Sequence, residues 1–189
     1  MDIEKLKSAI QQVMPEVIEE WNTVKLPLFE ALVEQKFEKY FEGRQTQEKT
    51  KMVAPILDSI FARRMNIILP DFLVDEGKGQ DFSYGKVKIE NKITFGEGDS
   101  WTGNGYKKTA WHLLMRFLVQ NDGIISNKFV MMADMDKCKS SWTAPGTTSN
   151  FSTLKFVSED KEELIPIIGS ISTLTRTGKP GTYIRPIME

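Results

Sequence analysis

The chain has 189 residues, 40% of them hydrophobic, with 27% charged and a formal net charge of −1. This is enough apolar material for one domain with its own core, and too little positive charge for a general polycationic nucleic-acid binder. One cysteine (Cys138) and one histidine (His112) exclude an internal disulfide, a cysteine or multi-histidine zinc site and an iron–sulfur cluster, and any Ser-His-Asp or Cys-His triad has to use His112.

In chain order, residues 2–21 read as a helix. Ile3, Leu6, Ile10, Val13, Val17 and Trp21 recur at helical spacing, and Pro15 is a point for a kink. Residues 26–42 read as a second helix stopped at Gly43. Residues 46–65 read as a third, with Thr46 as N-cap and Val53, Ile56, Leu57, Ile60 and Phe61 as its apolar stripe. The pattern then changes. Short strands are expected at 81–84 and 86–94 around Gly85. On the second of these, Val87, Ile89 and Ile93 face one side and Lys88, Glu90 and Lys92 the other. A glycine-rich loop follows, then a helix over 106–119 holding His112 in an ordinary structural or surface role. A strand over 128–135, a polar loop over 137–150, a strand over 151–157, a helix over 158–169 and an irregular or edge-strand tail complete the chain.

This order predicts a single α/β domain over 1–189, with a central mixed sheet flanked by helices. Residues 1–65 form a helical region, 66–157 a core and 158–189 a C-terminal helix and tail. Charge is uneven: residues 1–48 carry ten acids against six Lys/Arg, whereas residues 78–116 carry seven Lys/Arg against four acids. A basic middle is compatible with a DNA cleft. No signal-peptide pattern opens the chain and no run approaches a membrane span, so a cytoplasmic protein is expected.

The chemistry concentrates in Asp81–Lys92, DFSYGKVKIENK. Glu90 and Lys92, two apart on a strand, share a face, and the hairpin at Gly85 can return Asp81 beside them. Two carboxylates supply hard oxygens for a divalent cation, and an ammonium beside them can act on a phosphate ester. The alternative is that Lys88, Glu90 and Lys92 are simply the solvated face of a strand.

This arrangement resembles the PD-(D/E)XK nuclease superfamily, and within it the type II restriction endonucleases. Asp81 matches the first acid, and Glu90 and Lys92 fill the acid-x-lysine triplet. Asp71, in a literal Pro-Asp pair, is the alternative first acid, with Asp75 a further one. The resemblance implies a restriction-endonuclease-like fold and Mg²⁺ held by Asp81, Glu90 and the backbone carbonyl of Asn91. It also implies hydrolysis of double-stranded DNA leaving 5′-phosphate ends.

Two echoing segments supply expected DNA contacts. In GDSWTGNGYKK these are Ser100, Trp101, Thr102, Asn104, Lys107 and Lys108. In SSWTAPGTTSN they are Trp142, Thr143, Thr147, Thr148 and Asn150. A palindromic site cut on both strands calls for a homodimer, with residues 1–65 the expected source of the interface. A structure-directed repair or junction nuclease of the same fold, and a non-enzymatic DNA-binding or interaction module, are the competing readings.

Overall fold

The computed structural model describes residues 2–44, 46–75, 81–96, 101–103, 111–138, 142–143, 152–154, 158–174 and 183–187. Helix α1 (Ile3–Glu20) starts where the Asp2 carboxylate accepts from Lys5 N at 3.0 Å. It buries Leu6, Ile10, Val13, Met14 and Val17 along one stripe, and Pro15 does not interrupt it. A π turn, Trp21–Lys25, follows and leads into α2 (Leu26–Val33).

The expected 26–42 helix is two pieces. Glu34 adopts φ 54°, which ends α2, and α3 (Phe37–Tyr40) restarts the chain. The Glu30 carboxylate joins them, accepting from Phe37 N at 2.9 Å and from Lys36 Nζ at 2.8 Å. Helix α4 (Thr46–Ile68) spans Pro55 and packs along α1, where Arg64 bonds Glu16 at 2.7 Å and Glu20 at 3.0 Å.

The strands are β1 (Phe72–Val74), β2 (Phe82–Tyr84), β3 (Val87–Phe95), β5 (Trp111–Val119), β6 (Ile125–Asp134) and β9 (Leu164–Ile168) in the main sheet, in the order β1-β2-β3-β5-β6-β9. All neighbours are antiparallel except β3 and β5, so the sheet is mixed. A smaller sheet is ordered β4 (Trp101–Gly103), β8 (Ser152–Leu154), β7 (Trp142–Thr143). Strands β10 (Ser170–Leu174) and β11 (Tyr183–Ile187) form a two-stranded ribbon. The α/β class, the mixed sheet and the helical N-terminal region are as expected. No helix among the described residues is long and apolar enough to cross a membrane.

Two expected helices are corrected. Trp111–Val119 is a central strand, and Ser158–Glu163 is a 3-10 helix that gives way to β9. WHLLMRFLV is buried on both faces and therefore lacks the alternation of a half-exposed strand. In β9 the β-branched run LIPII tolerates Pro166 because β9 is the outer strand of the main sheet.

Successive residues of β3 and β5 face opposite cores. Ile89, Phe95, Leu113, Met115 and Phe117 pack with α1 and α4. On the other side Leu114 packs with Trp101, Phe129, Met131, Ala133, Met135 and Cys138. The π turn ties the helices to the β5–β6 turn: Trp21 Nε1 donates to Gly123 O at 3.0 Å, and Ile125 N donates to Asn22 Oδ1 at 2.9 Å.

Gly123 has φ 86°, and a Cβ there would lie 2.5 Å from Phe37 Cγ and 2.8 Å from Leu26 Cδ1. Gly123→Ala is therefore expected to cost roughly 2–4 kcal/mol, from left-handed strain plus overpacking. A urea midpoint unchanged from the parent protein would refute this.

Candidate active site

The hairpin β2–β3 brings the acid-x-lysine strand and its upstream aspartate together. Gly85, at φ 59°, makes the turn, and Phe82 pairs with Ile89. Strand β2 starts at Phe82, so past Ile89 the edge of β3 meets the Asp81 carboxylate instead of a paired strand. Asp81 Oδ2 accepts the backbone N–H of Asn91 at 2.7 Å. In a strand the N–H and C=O of one residue point to the same edge, so the carbonyl of Asn91 faces this edge too.

Glu90 and Lys92 leave the opposite face of β3 from the Asn91 side chain. The Lys92 ammonium bonds Glu90 Oε1, and the glutamate is buried at 3% exposure. The alternative reading, a merely solvated face of the strand, is not what the structure shows for Glu90. It is instead covered, because β3 is an interior strand of the sheet with core on both sides.

Asp71 is placed apart from this point, and Asp75 lies beside it. Asp71 is exposed at the far end of the β1–β2 pair, where its carbonyl accepts from Gly85 N at 3.4 Å. Asp81 is at the other end, about four residues or 13 Å along the strand. Asp75 lies across from Asp81, its N–H donating to Asp81 O at 3.0 Å, and its carboxylate is paired with Lys88.

A residue with no sequence signature joins the set. Asp58, on α4, accepts from the side-chain amide of Asn91. With Asp75, Asp81, Ser59, Ala62, Val74 and Phe82 it lines a cavity of about 330 Å³. Desolvation is the largest influence on Asp58 and raises its pKa. The Asn91 hydrogen bond and the Lys92 charge oppose this while the Asp81 charge adds to it, leaving the group at about 6. Asn91 thus ties α4 to the open edge of β3 through its side chain and its main chain.

Among the described residues, no three His, Cys, Asp or Glu side chains are gathered closely enough to hold a metal ion. What is present is sparser: Asp81 meets the main chain of Asn91 at the edge of β3, one residue along from Glu90. Sparse sets of hard oxygens suit Mg²⁺, which keeps several of its waters. The buried Oδ1 of Asn91 accepts no hydrogen bond among the described residues and lies on the α4 side of β3, in the amide that bonds Asp58. The oxygens at this edge are of the hard kind that Mg²⁺ takes.

Of the expected DNA contacts, Ser100, Asn104, Lys107, Lys108, Thr147, Thr148 and Asn150 lie outside the described residues. Trp101 is interior, at 2% exposure. Its Nε1 donates to Met115 O at 3.2 Å, and the Arg116 guanidinium lies 4.7 Å from its ring centroid. That placement gives the ring to the fold and not to a nucleic acid.

The two Ser-Trp-Thr segments converge on one strand. Trp101 and Trp142 are both in register with Leu154, and Thr102 and Thr143 both with Thr153. The echo seen in the sequence is therefore a structural pairing about β8.

No protein-family model matches the chain, and no curated protein or solved structure matches it.

Proposed function

We propose that the chain is a Mg²⁺-dependent endonuclease of the restriction type, cleaving double-stranded DNA at specific sites to leave 5′-phosphate ends. The observation that carries this reading is the bond from Asn91 N to Asp81 Oδ2. It fixes a first acid beside the main chain of an acid-x-lysine strand, at an edge that no other strand covers among the described residues. Asp81, Glu90 and the carbonyl of Asn91 would hold the ion. When bound, Mg²⁺ supplies charge compensation at a phosphate oxygen and lowers the pKa of water.

The protein's own residues do the rest. Lys92 carries a compact positive charge on a flexible stem, suited to the negative charge that grows on phosphorus during in-line attack. The buried Glu90 carboxylate holds that ammonium in place until phosphate competes for it. Asp58 and Asn91 brace the strand from the helix side.

A C₂ homodimer supplies two such sites for the two strands of a duplex. The exposed apolar residues of the helical region support this. Val24, Leu28 and Leu32 are 51%, 53% and 75% exposed, beside a cavity of about 410 Å³ lined by Phe29, Pro55, Ile56 and Ile60. Sedimentation equilibrium should return twice the chain mass, with and without DNA; a monomer in both would remove the dimer from the reading.

Incubating the protein with several unmethylated phage genomes, in Mg²⁺ and in EDTA, tests the activity. Discrete Mg²⁺-dependent fragments are expected, and a smear would mark a structure-directed or nonspecific nuclease. Intact DNA from every genome would overturn the enzymatic reading in favour of a binding module.

A further inference from the structure

We propose that the side chains of Asp58 and Asn91 form a positioning pair that sets cation affinity by holding the main chain of Asn91 against Asp81; this rests on the nuclease reading above. The family resemblance gives Asn91 only its main-chain carbonyl and leaves its side chain as filler in the acid-x-lysine triplet. Here that side chain has a partner on another layer of the fold. Asn91 is buried, at 6% exposure, and its Nδ2 donates to Asp58 Oδ1 on α4.

Strand β3 needs an anchor at this residue. Its register with β2 ends at the Phe82–Ile89 pair, so Asn91 lies beyond the last rung on that side. There its N–H donates to Asp81 Oδ2 at 2.7 Å, a single side-chain acceptor where a paired strand would supply a ladder. From the helix side the amide of Asn91 is gripped at its Nδ2 end, while its Oδ1 accepts no hydrogen bond among the described residues. The bond to Asp58 is thus the polar contact that orients the amide.

Aspartate on α4 suits the task. Its ionised carboxylate only accepts, so it selects the Nδ2 end of the amide. Both side chains are short, and their bond fixes few rotatable angles. Asp58 is flanked by Leu57 and lies a turn from Phe61, at 1% and 0% exposure, on a helix that Arg64 ties to Glu16 and Glu20 of α1. The main chain at Asn91 is therefore held from two directions, by Asp81 at the strand edge and by Asp58 from the helix layer. A site fixed before its ion arrives binds more tightly than one that must be ordered. Neither side chain touches the reacting atoms in this scheme; both act through the main chain of β3.

The first arm reads the Asn91–Asp81 bond in the folded protein. A scalar coupling across it, from Asn91 N to the Asp81 carboxylate carbon, is measured in EDTA at pH 8. The coupling is expected in the parent protein and in Asp58→Asn, which keeps an acceptor for the amide. It is expected to vanish in Asp58→Ala and in Asn91→Ala, which break the pair from opposite sides. A thermal melt of each variant verifies folding, and either one suffices. A coupling absent from the parent, or retained in a folded alanine variant, overturns the proposal.

The second arm is calorimetric titration with Ca²⁺. Asp58→Asn removes the charge and keeps the bond, whereas Asp58→Ala removes both, so the difference between them isolates the bond. The Kd of Asp58→Ala is expected to exceed that of Asp58→Asn about 10-fold or more, the usual size of effect for groups that orient metal ligands from behind. A parent protein that binds Ca²⁺, with equal Kd values in the two folded variants, overturns this proposal alone. A parent protein that takes no Ca²⁺ overturns the nuclease reading and this proposal with it.

Discussion

Glu90→Gln is expected to lower Mg²⁺-dependent cleavage by on the order of 10³-fold, about 4 kcal/mol of transition-state stabilisation at 1.36 kcal/mol per decade. The substitution keeps the shape of the side chain and an oxygen for Lys92 and removes the charge. Glutamine is a better choice than alanine for a second reason. Glu90 is buried against an ammonium, and deleting one half of a buried ion pair commonly costs about 3–5 kcal/mol of stability. Loss of activity in Glu90→Ala alone would therefore confound catalysis with folding.

Lys92→Met should show a similar fall in rate, and Lys92→Arg should not restore it. The planar guanidinium cannot occupy the compact position in which the ammonium meets Glu90 Oε1. Rates on supercoiled plasmid, with DNA affinity measured in Ca²⁺, separate the catalytic loss from a binding loss. Full cleavage by either folded variant would eliminate the mechanism.

Asp58→Asn is expected to make the protein more stable above pH 6 and to do so by about 3 kcal/mol. That figure is the free-energy equivalent of a carboxyl whose pKa moves from 3.8 to about 6 on folding. The sign follows from which state binds the proton. A raised pKa means the folded protein holds a proton that the unfolded chain has released. Stability from this group is therefore complete below about pH 4, falls as pH rises through 6, and stays low above it. Asparagine keeps an acceptor for the Asn91 amide and carries no charge to desolvate. The gap between variant and parent should thus open between pH 4 and 6 in denaturant midpoints, and equal midpoints at pH 8 would refute the assignment.

On the nuclease reading, a stability deficit at neutral pH is expected of a site that a cation would relieve. The same cavity contains Asp81 and Asp75, so Mg²⁺ or Ca²⁺ should stabilise the parent more than Asp58→Asn and narrow the gap.

The hairpin of the candidate site was legible because its signals are local. A glycine at a turn, alternation along 87–94 and an acid at each end of a short loop need no knowledge of distant contacts. Asp58 was not legible. It is one acid in a long helix, and its meaning comes from Asn91, 33 residues away. Its position beside Leu57 and Phe61, on the buried stripe of α4, is the one clue the sequence carries.

His112 was misplaced for a related reason. WHLLMRFLV has no period to read, since both faces of β5 are covered, and a parallel partner arrives only after a long crossover. With the segment taken as a helix, the register that sets His112 against Glu90 could not be seen. The burial of Glu90 was out of reach at the same point, because the second core over that face is built by residues from 101 to 164.

The pairing about β8 turns two separate stretches of chain into a ruler. Thr102 and Thr143 hold the same register on either side of Thr153, so their main chains are two strand spacings apart, roughly 9.6 Å. Hydrogen bonds set that interval and no hinge interrupts it. Along one strand of a duplex at 3.4 Å per step it covers about three nucleotides. Any ligand that meets both Ser-Trp-Thr segments meets them at a fixed pitch, and a change in length at 152–154 would alter the gauge for both at once.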